Sequence, residues 1–244
     1  MRGHRPSAWP AARIVFAAGA LVAFLGFVAL GTWQVERRAW KLALIERVEQ
    51  RVRAPAAPVP SPDRWAQVTA ASDEYRHVHV AGVFTADAPA FVQAVTELGP
   101  GFWVLAPLRL ADGSVVMINR GFVTQAQRGA LAPAPTSRQV EIDGLLRISE
   151  PGGGFLRHND AAADRWFSRD VAAIASARGL HLVAPYFIDA DAAPSDASEV
   201  APIGGLTVIT FHNNHLVYAI TWYTLAAMVV AGLVHARRRA VART

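Results

Sequence analysis

The chain has 244 residues, no cysteine and a net charge of +5, and 52% of it is hydrophobic. Without cysteine, disulfides, thiolate metal sites and CxxC redox chemistry are excluded. Arg2, Arg5 and Arg13 lie before residue 14, and Arg237, Arg238, Arg239 and Arg243 lie after residue 234, with no acid in either tail. The sequence isoelectric point near 10.4 therefore reports the tails. Between them, seventeen basic residues face nineteen acids, a balance that argues against nucleic-acid binding.

Residues 1–13 read as a cytoplasmic tail, too short for an ordinary mitochondrial presequence, which points to a bacterial inner membrane. Residues 14–33 contain no charge. At ~1.5 Å per residue they cover ~30 Å, the hydrocarbon thickness of a bilayer, and predict a first transmembrane helix. A cleaved signal peptide is the rival reading; the run exceeds the usual signal length and no Ala-x-Ala site follows. Residues 34–53 predict a juxtamembrane helix, with Leu42, Ile45, Val48 and Val52 at three- and four-residue steps and Glu49 placed to pair with Arg53. Arg37, Arg38 and Lys41 form a basic band at its start, suited to carboxylates or to lipid head groups. Residues 54–62, with four prolines, predict an extended linker.

Residues 63–213 predict a β-rich domain. Val78 and Val80 mark one strand, whose other face carries His77 and His79; two imidazoles at that spacing suit copper or zinc, but an exposed polar face is the simpler reading. Trp103–Leu110 and Val115–Ile118 read as a hairpin around Asp112-Gly113, with Pro107 suggesting an edge or a bulge. Asn119-Arg120-Gly121 ends that buried strand; Gly121 suggests a turn or close backbone approach, so the motif reads first as a structural turn, with Arg120 facing a partner as the other reading. Alternation over 140–148 predicts another strand, Asp170 to Arg178 a helix stopped by Gly179, and Tyr186–Asp189 a last strand, with Leu206–Phe211 leading back to the membrane. No Ser-His-Asp set, paired-carboxylate motif, HExxH or phosphate loop stands out, so no enzyme is expected.

Residues 214–234 predict a second transmembrane helix, and 235–244 a basic cytoplasmic tail. Acid-free basic tails beside both spans place both termini in the cytoplasm and the central domain in the periplasm. The expected class is membrane α+β: two transmembrane helices flanking a mostly antiparallel β domain with one or two helices. His215 is the last strongly polar residue before the apolar run, and His212 lies three positions earlier. An imidazole at such a boundary is a candidate ligand for iron or copper; a polar belt marking the exit from lipid is the alternative.

Several patches, in order, resemble the surfeit locus protein 1 family of cytochrome c oxidase assembly factors. They are Gly31-Thr-Trp-Gln-Val-Glu-Arg-Arg-Ala-Trp-Lys41, Ile118-Asn-Arg-Gly-Phe-Val123, Asn159 with Arg165-Trp166 and Asp170, Pro185-Tyr-Phe-Ile188, and Asn213-Asn-His-Leu-Val-Tyr-Ala-Ile-Thr-Trp222. The resemblance spans about residues 14–234. It implies a role in binding or delivering haem a to oxidase subunit I, with His215 as iron ligand and Trp222 as the matching tryptophan, placed to pack on the macrocycle; with such a cargo, Arg37 and Arg38 of the basic band suit its propionates, and His212 is a further candidate contact. Subunit I, or the haem a synthase, is then the expected partner, and Arg120, Asn119 and Trp166 of the β domain are the candidate contacts. An oxidase-subunit scaffold that never touches haem is the alternative. Two positions depart from the family pattern: His212 stands where arginine is expected, and Thr124 where proline is expected.

Overall fold

The computed structural model describes residues 9–154, 156–192, 200–207 and 213–242, and, of the side chains, all but those of 9–13, 240 and 241. The chain divides into two compact units, one of residues 1–46 with 210–244, the other of residues 47–209.

Helix α1 (Trp9–Arg53) is continuous, so the predicted span and juxtamembrane helix are one element. Nothing between Trp33 and Gln34 breaks it: neither proline nor glycine interrupts 32–53. Its far end carries the expected pair, Glu49 with Arg53 at 3.9 Å.

In the larger unit the described strands are β1 (Ala57–Pro58), β2 (His77–Phe84), β3 (Ala90–Thr96), β4 (Gly99–Arg109), β5 (Val115–Thr124), β6 (Val140–Ile148), β7 (Gly153–Gly154), β8 (Arg157–His158) and β9 (Val183–Ala190). Short helices α2 (Ala70–Asp73) and α3 (Val171–Ala177) accompany them. The predicted strands all recur, but the sheet is closed. β2, β6, β9, β5 and β4 pair in that order, and β4 returns to β2 through Val83↔Arg109 and Phe84↔Leu108. The result is a five-stranded barrel, antiparallel throughout except where β5 and β9 run parallel. Closure needs β2 to leave one neighbour for another, and Gly82 sits at that corner: a Cβ there would lie 2.5 Å from the Arg109 carbonyl oxygen. Pro107 marks the matching point on β4, between residues paired with β3 and residues paired with β2. Its carbonyl accepts from the Thr85 amide at 3.0 Å, and its missing N–H falls where the neighbour changes.

The segment expected as a linker is partly sheet: Ala57 and Pro58 pair in parallel with Val78 and His79. The Pro60 carbonyl accepts from Trp65 Nε1 at 3.0 Å and the Tyr186 hydroxyl at 2.8 Å, tying the proline run to the barrel.

Strand alternation separates two cores. Val78, Val80, Val116, Ile118, Leu146, Tyr186 and Ile188 belong to the barrel interior. Their odd-numbered neighbours Leu105, Met117 and Phe187 join a second cluster with Trp166, Val171 and Ile174, covered by α3. Helix α3 begins where expected: Asp170 Oδ1 accepts from the Ala173 amide at 3.1 Å, and Gly179 follows its end at φ +62°.

Helix α4 (His215–Val241) pairs with α1 in the smaller unit. Phe27 stacks on Trp222 with ring centroids 5.8 Å apart, and Gly31 lets the Tyr223 ring approach, since a Cβ there would meet it at 2.8 Å. Ala219 and Ala226 are buried. Both helices, over Ile14–Arg53 and His215–Arg239, have the length and composition to cross a membrane. Their outward side chains are apolar and open: Val22 is 70% exposed and Val217 65%.

Candidate functional site

The start of α4 and the end of the apolar part of α1 supply the candidate site. Positions 215, 219, 222 and 226 fall on one face of α4, and 27, 31 and 34 on one face of α1. Moving seven residues forward from His215 to Trp222 moves seven backward from Gln34 to Phe27, so the helices run antiparallel along a shared seam. The polar end of that seam is one hydrogen bond: His215 Nδ1 lies 2.7 Å from Gln34 Oε1. An amide oxygen only accepts, so Nδ1 is the donor, and in the neutral ring with this tautomer Nε2 holds the lone pair. Gln34 is buried, which shields this bond from water. A glutamine holding a histidine in this way sets the ring's tautomer and direction, as outer partners of metal ligands do.

The described residues place no three His, Asp or Glu side chains around one point. A single imidazole can hold iron where a macrocycle supplies the other donors, as in haem proteins. The seam fits that chemistry: one oriented imidazole, aromatic rings two turns away, and Asn213 Oδ1, buried with no hydrogen-bond partner among the described residues, two positions before His215. Trp222 shares the face of His215 and stacks on Phe27. Arg38 lies one turn past Gln34 on the same face of α1, while the Arg37 guanidinium sits 4.0 Å from the Trp40 ring centroid. His212 lies outside the described residues.

The three residues expected to meet a partner separate. Asn119 is only 3% exposed and Trp166 1%. Asn119 Nδ2 donates to Asp189 Oδ1 at 2.7 Å, and its Oδ1 accepts from the Gly121 amide at 3.2 Å. Asp189 also accepts from Arg147 Nη1 at 2.9 Å, Arg169 Nη1 at 3.3 Å and the Thr207 hydroxyl at 2.9 Å. Trp166 donates to Asp164 Oδ1 at 2.6 Å from within the second core. Asn159 is internal bonding too, accepting from the Phe167 and Ser168 amides at 2.8 and 3.2 Å. Gly121, at φ +127°, lies against Ile203, whose carbonyl oxygen would be 2.4 Å from a Cβ. Asn119 and Gly121 thus bond within the barrel, Trp166 packs in the second core, and Arg120 lines a cavity.

His77 and His79 each meet a carboxylate: His77 Nε2 reaches Asp191 Oδ2 at 3.0 Å, and His79 Nδ1 reaches Asp143 Oδ1 at 2.6 Å. They form two separate pairs rather than one ligand set.

Gln34 was not singled out from the sequence, where it reads as one more polar residue after an apolar run. The available signal was its spacing, three beyond Gly31 and seven beyond Phe27, which continues the stripe that packs.

A β-barrel joined to two long apolar helices, with an oriented histidine opening the second, defines the class. The SURF1 family model matches residues 21–227, beginning within α1 and ending within α4. The chain is 33% identical over 222 residues to surfeit locus protein 1 of Homo sapiens, covering 81% of this chain and 69% of that one. It is 34% identical over 221 residues to surfeit locus protein 1 of Rattus norvegicus (81% and 68%), and 34% over 225 residues to a SURF1-like protein of Monosiga brevicollis (86% and 83%). The chain belongs to the SURF1 family.

Proposed function

We propose that this protein is a membrane-bound assembly factor of haem-copper cytochrome c oxidase, and that it holds haem a as transient cargo on its way to subunit I. The observation carrying the reading is the His215–Gln34 contact, which leaves Nε2 of an oriented imidazole as an electron-pair donor. In this reading both helices cross a bacterial inner membrane, the termini lie in the cytoplasm and the barrel faces the periplasm, following the arginines of the two tails. His215 Nε2 binds the iron, Gln34 fixes the ring, Trp222 offers an aromatic face, and Arg38 or Arg37 meets the propionates. His212 is a further contact to the cargo. One protein ligand suits a carrier, because release then breaks a single coordinate bond. Subunit I, and the haem a synthase as donor, are the partners this handover requires.

The test is to purify the full chain and His215→Ala from cells that make haem a, and to compare haem-to-protein ratio and optical spectrum. Loss of haem a from the variant, with the barrel's thermal transition unchanged, supports the reading. Undiminished haem a occupancy removes His215 as the ligand. Haem-free wild-type protein from the same cells favours a scaffold that binds the oxidase subunit alone.

A further inference from the structure

Among the described residues, Arg120 makes one side-chain hydrogen bond and no ion pair. Arg120 continues the inward-facing register of Val116 and Ile118 and reaches the end of the barrel interior, where the Phe84 ring centroid is 5.8 Å from its guanidinium carbon. Its one side-chain hydrogen bond among the described residues is a long one, Nη1 to the Ala132 carbonyl at 3.4 Å. No carboxylate of the described residues forms an ion pair with it. Burial pulls its pKa below the ordinary arginine value. Arg147 and Arg169 show the contrast, since each lies between two or more carboxylates. A half-buried guanidinium without a counter-charge is costly, and a carboxylate in bidentate contact is the group that offsets the cost best.

A cavity of about 330 Å³ opens beside it. Its walls are the loop after β2, Thr85–Pro89, and the extended segment Leu131–Thr136, so they are largely Ala, Pro and Leu carbon. A second arginine stands in the wall: Arg128, whose guanidinium carbon is 4.4 Å from the Phe91 centroid and 4.8 Å from that of Phe102. Stacking fixes its plane and leaves its N–H edge available. Against these two cations the lining holds a single acid, Asp87. On the other side of Arg120 a cavity of about 520 Å³ is lined by Glu141, Asp143 and Asp191, which disfavours an anion there.

We propose that the cavity between Thr85–Pro89 and Leu131–Thr136 is a binding site for a carboxylate carried on a short apolar stem, held by Arg120 and Arg128. The stem lies against the proline and alanine walls, and the carboxylate gives Arg120 an ion pair that it does not form with the described residues. Two sources carry this chemistry, a free monocarboxylic acid and the C-terminal residue of a peptide. The inference shares neither residues nor readout with the reading of His215, so each stands or fails alone.

To test it, the full chain in detergent micelles is labelled with ¹⁵N-arginine, and the arginine Nε–H signals are followed as four compounds are added. These are N-acetyl-leucine, its amide, a tripeptide ending in free leucine, and inorganic phosphate. Expected are saturable shifts of the Arg120 and Arg128 signals with the two carboxylates, and at least tenfold weaker binding of the amide and of phosphate. The tripeptide binding tighter than N-acetyl-leucine identifies a peptide terminus; equal affinity identifies a small acid. Arg120→Gln weakens carboxylate binding at least tenfold while leaving the thermal midpoint unchanged or higher, because it removes an unpaired cation. Arg128→Gln, in a surface turn, weakens it in a fold that is not at risk. Equal response to acid and amide, phosphate binding as tightly as the acids, or no saturable shift with any compound overturns the proposal, as does unaltered carboxylate binding in both variants.

Discussion

Polar groups are buried in both units of this protein, but they are used differently. In the barrel unit Asp189 is 4% exposed and receives hydrogen bonds from Asn119, Arg147, Arg169 and Thr207, while Arg147 also donates to Glu74 at 2.9 Å and Arg169 to Glu150 at 2.5 Å. Every member answers another, and the set fixes β5, β6 and β9 in register. In the helix pair, Gln34 and His215 meet through one bond at Nδ1, and among the described residues no partner is seen at the second imidazole nitrogen. A saturated network holds a fold together, whereas an oriented group with capacity left over is what a ligand can use.

The sharpest way to break this contrast is to remove Asp189. Asp189→Ala leaves Arg147 and Arg169 buried without the charge they share, and loss of one partner of a buried ionic network costs about 3–5 kcal/mol. The burial of Arg147 opposes its charge, yet Asp189 and Glu74 more than compensate and raise its pKa, which marks the pairing as favourable in place. Chemical denaturation of the full chain in micelles, followed by tryptophan fluorescence, measures the loss. A change below about 1 kcal/mol, the range of surface ion pairs, means the network is not structural and the contrast fails.

Gln34→Leu makes the complementary cut. It keeps the volume of the seam and removes the acceptor that fixes His215. Loss of such an outer partner lowers metal affinity about 10–100-fold. Haem a retained per protein after dilution through a desalting column reports the drop, and the barrel's denaturation midpoint stays where it was. Unchanged haem retention means that His215 needs no support from α1; an equal loss in the barrel midpoint means that Gln34 acts on folding.

Local patterns made most of the elements readable. Alternation gave 140–148, the run of aliphatics gave Val115–Ile118, and Asp170 with Gly179 bracketed α3. Barrel closure was not readable, because it depends on two residue pairs, Val83↔Arg109 and Phe84↔Leu108, that no single strand encodes. The same holds for the site. His215 declares itself as the last polar residue before an apolar run, but its partner is 181 positions away in sequence. Motif residues such as Asn119 and Trp166 were expected to meet a partner. A motif alone does not tell a group saturated by its neighbours from one presented outward, and here both are interior.

His77 offers the smallest and most specific test, since its role is electrostatic and lies far from saturation. Nδ1 faces the Ala54 carbonyl at 2.9 Å and Nε2 faces Asp191 at 3.0 Å. Both neighbours accept, so the ring satisfies them together only as the doubly protonated cation. Burial works against that charge, but the Ala54 carbonyl, Asp191 and Asp143 outweigh it and raise the pKa above the ordinary 6.5. A raised folded-state pKa contributes stability that is complete below about pH 6.5, the unfolded value, and is lost as pH rises through the folded value. Asp191 is half exposed, so screening limits the contribution to about 0.5–1 kcal/mol. Denaturation midpoints measured from pH 5.5 to 8.5 should therefore fall slightly in the wild type through this window. Asp191→Asn keeps the acceptor at Nε2 but removes the charge, and the slope should flatten. A slope that is the same in both proteins assigns the pH dependence to other groups and leaves the His77 pair as geometry alone.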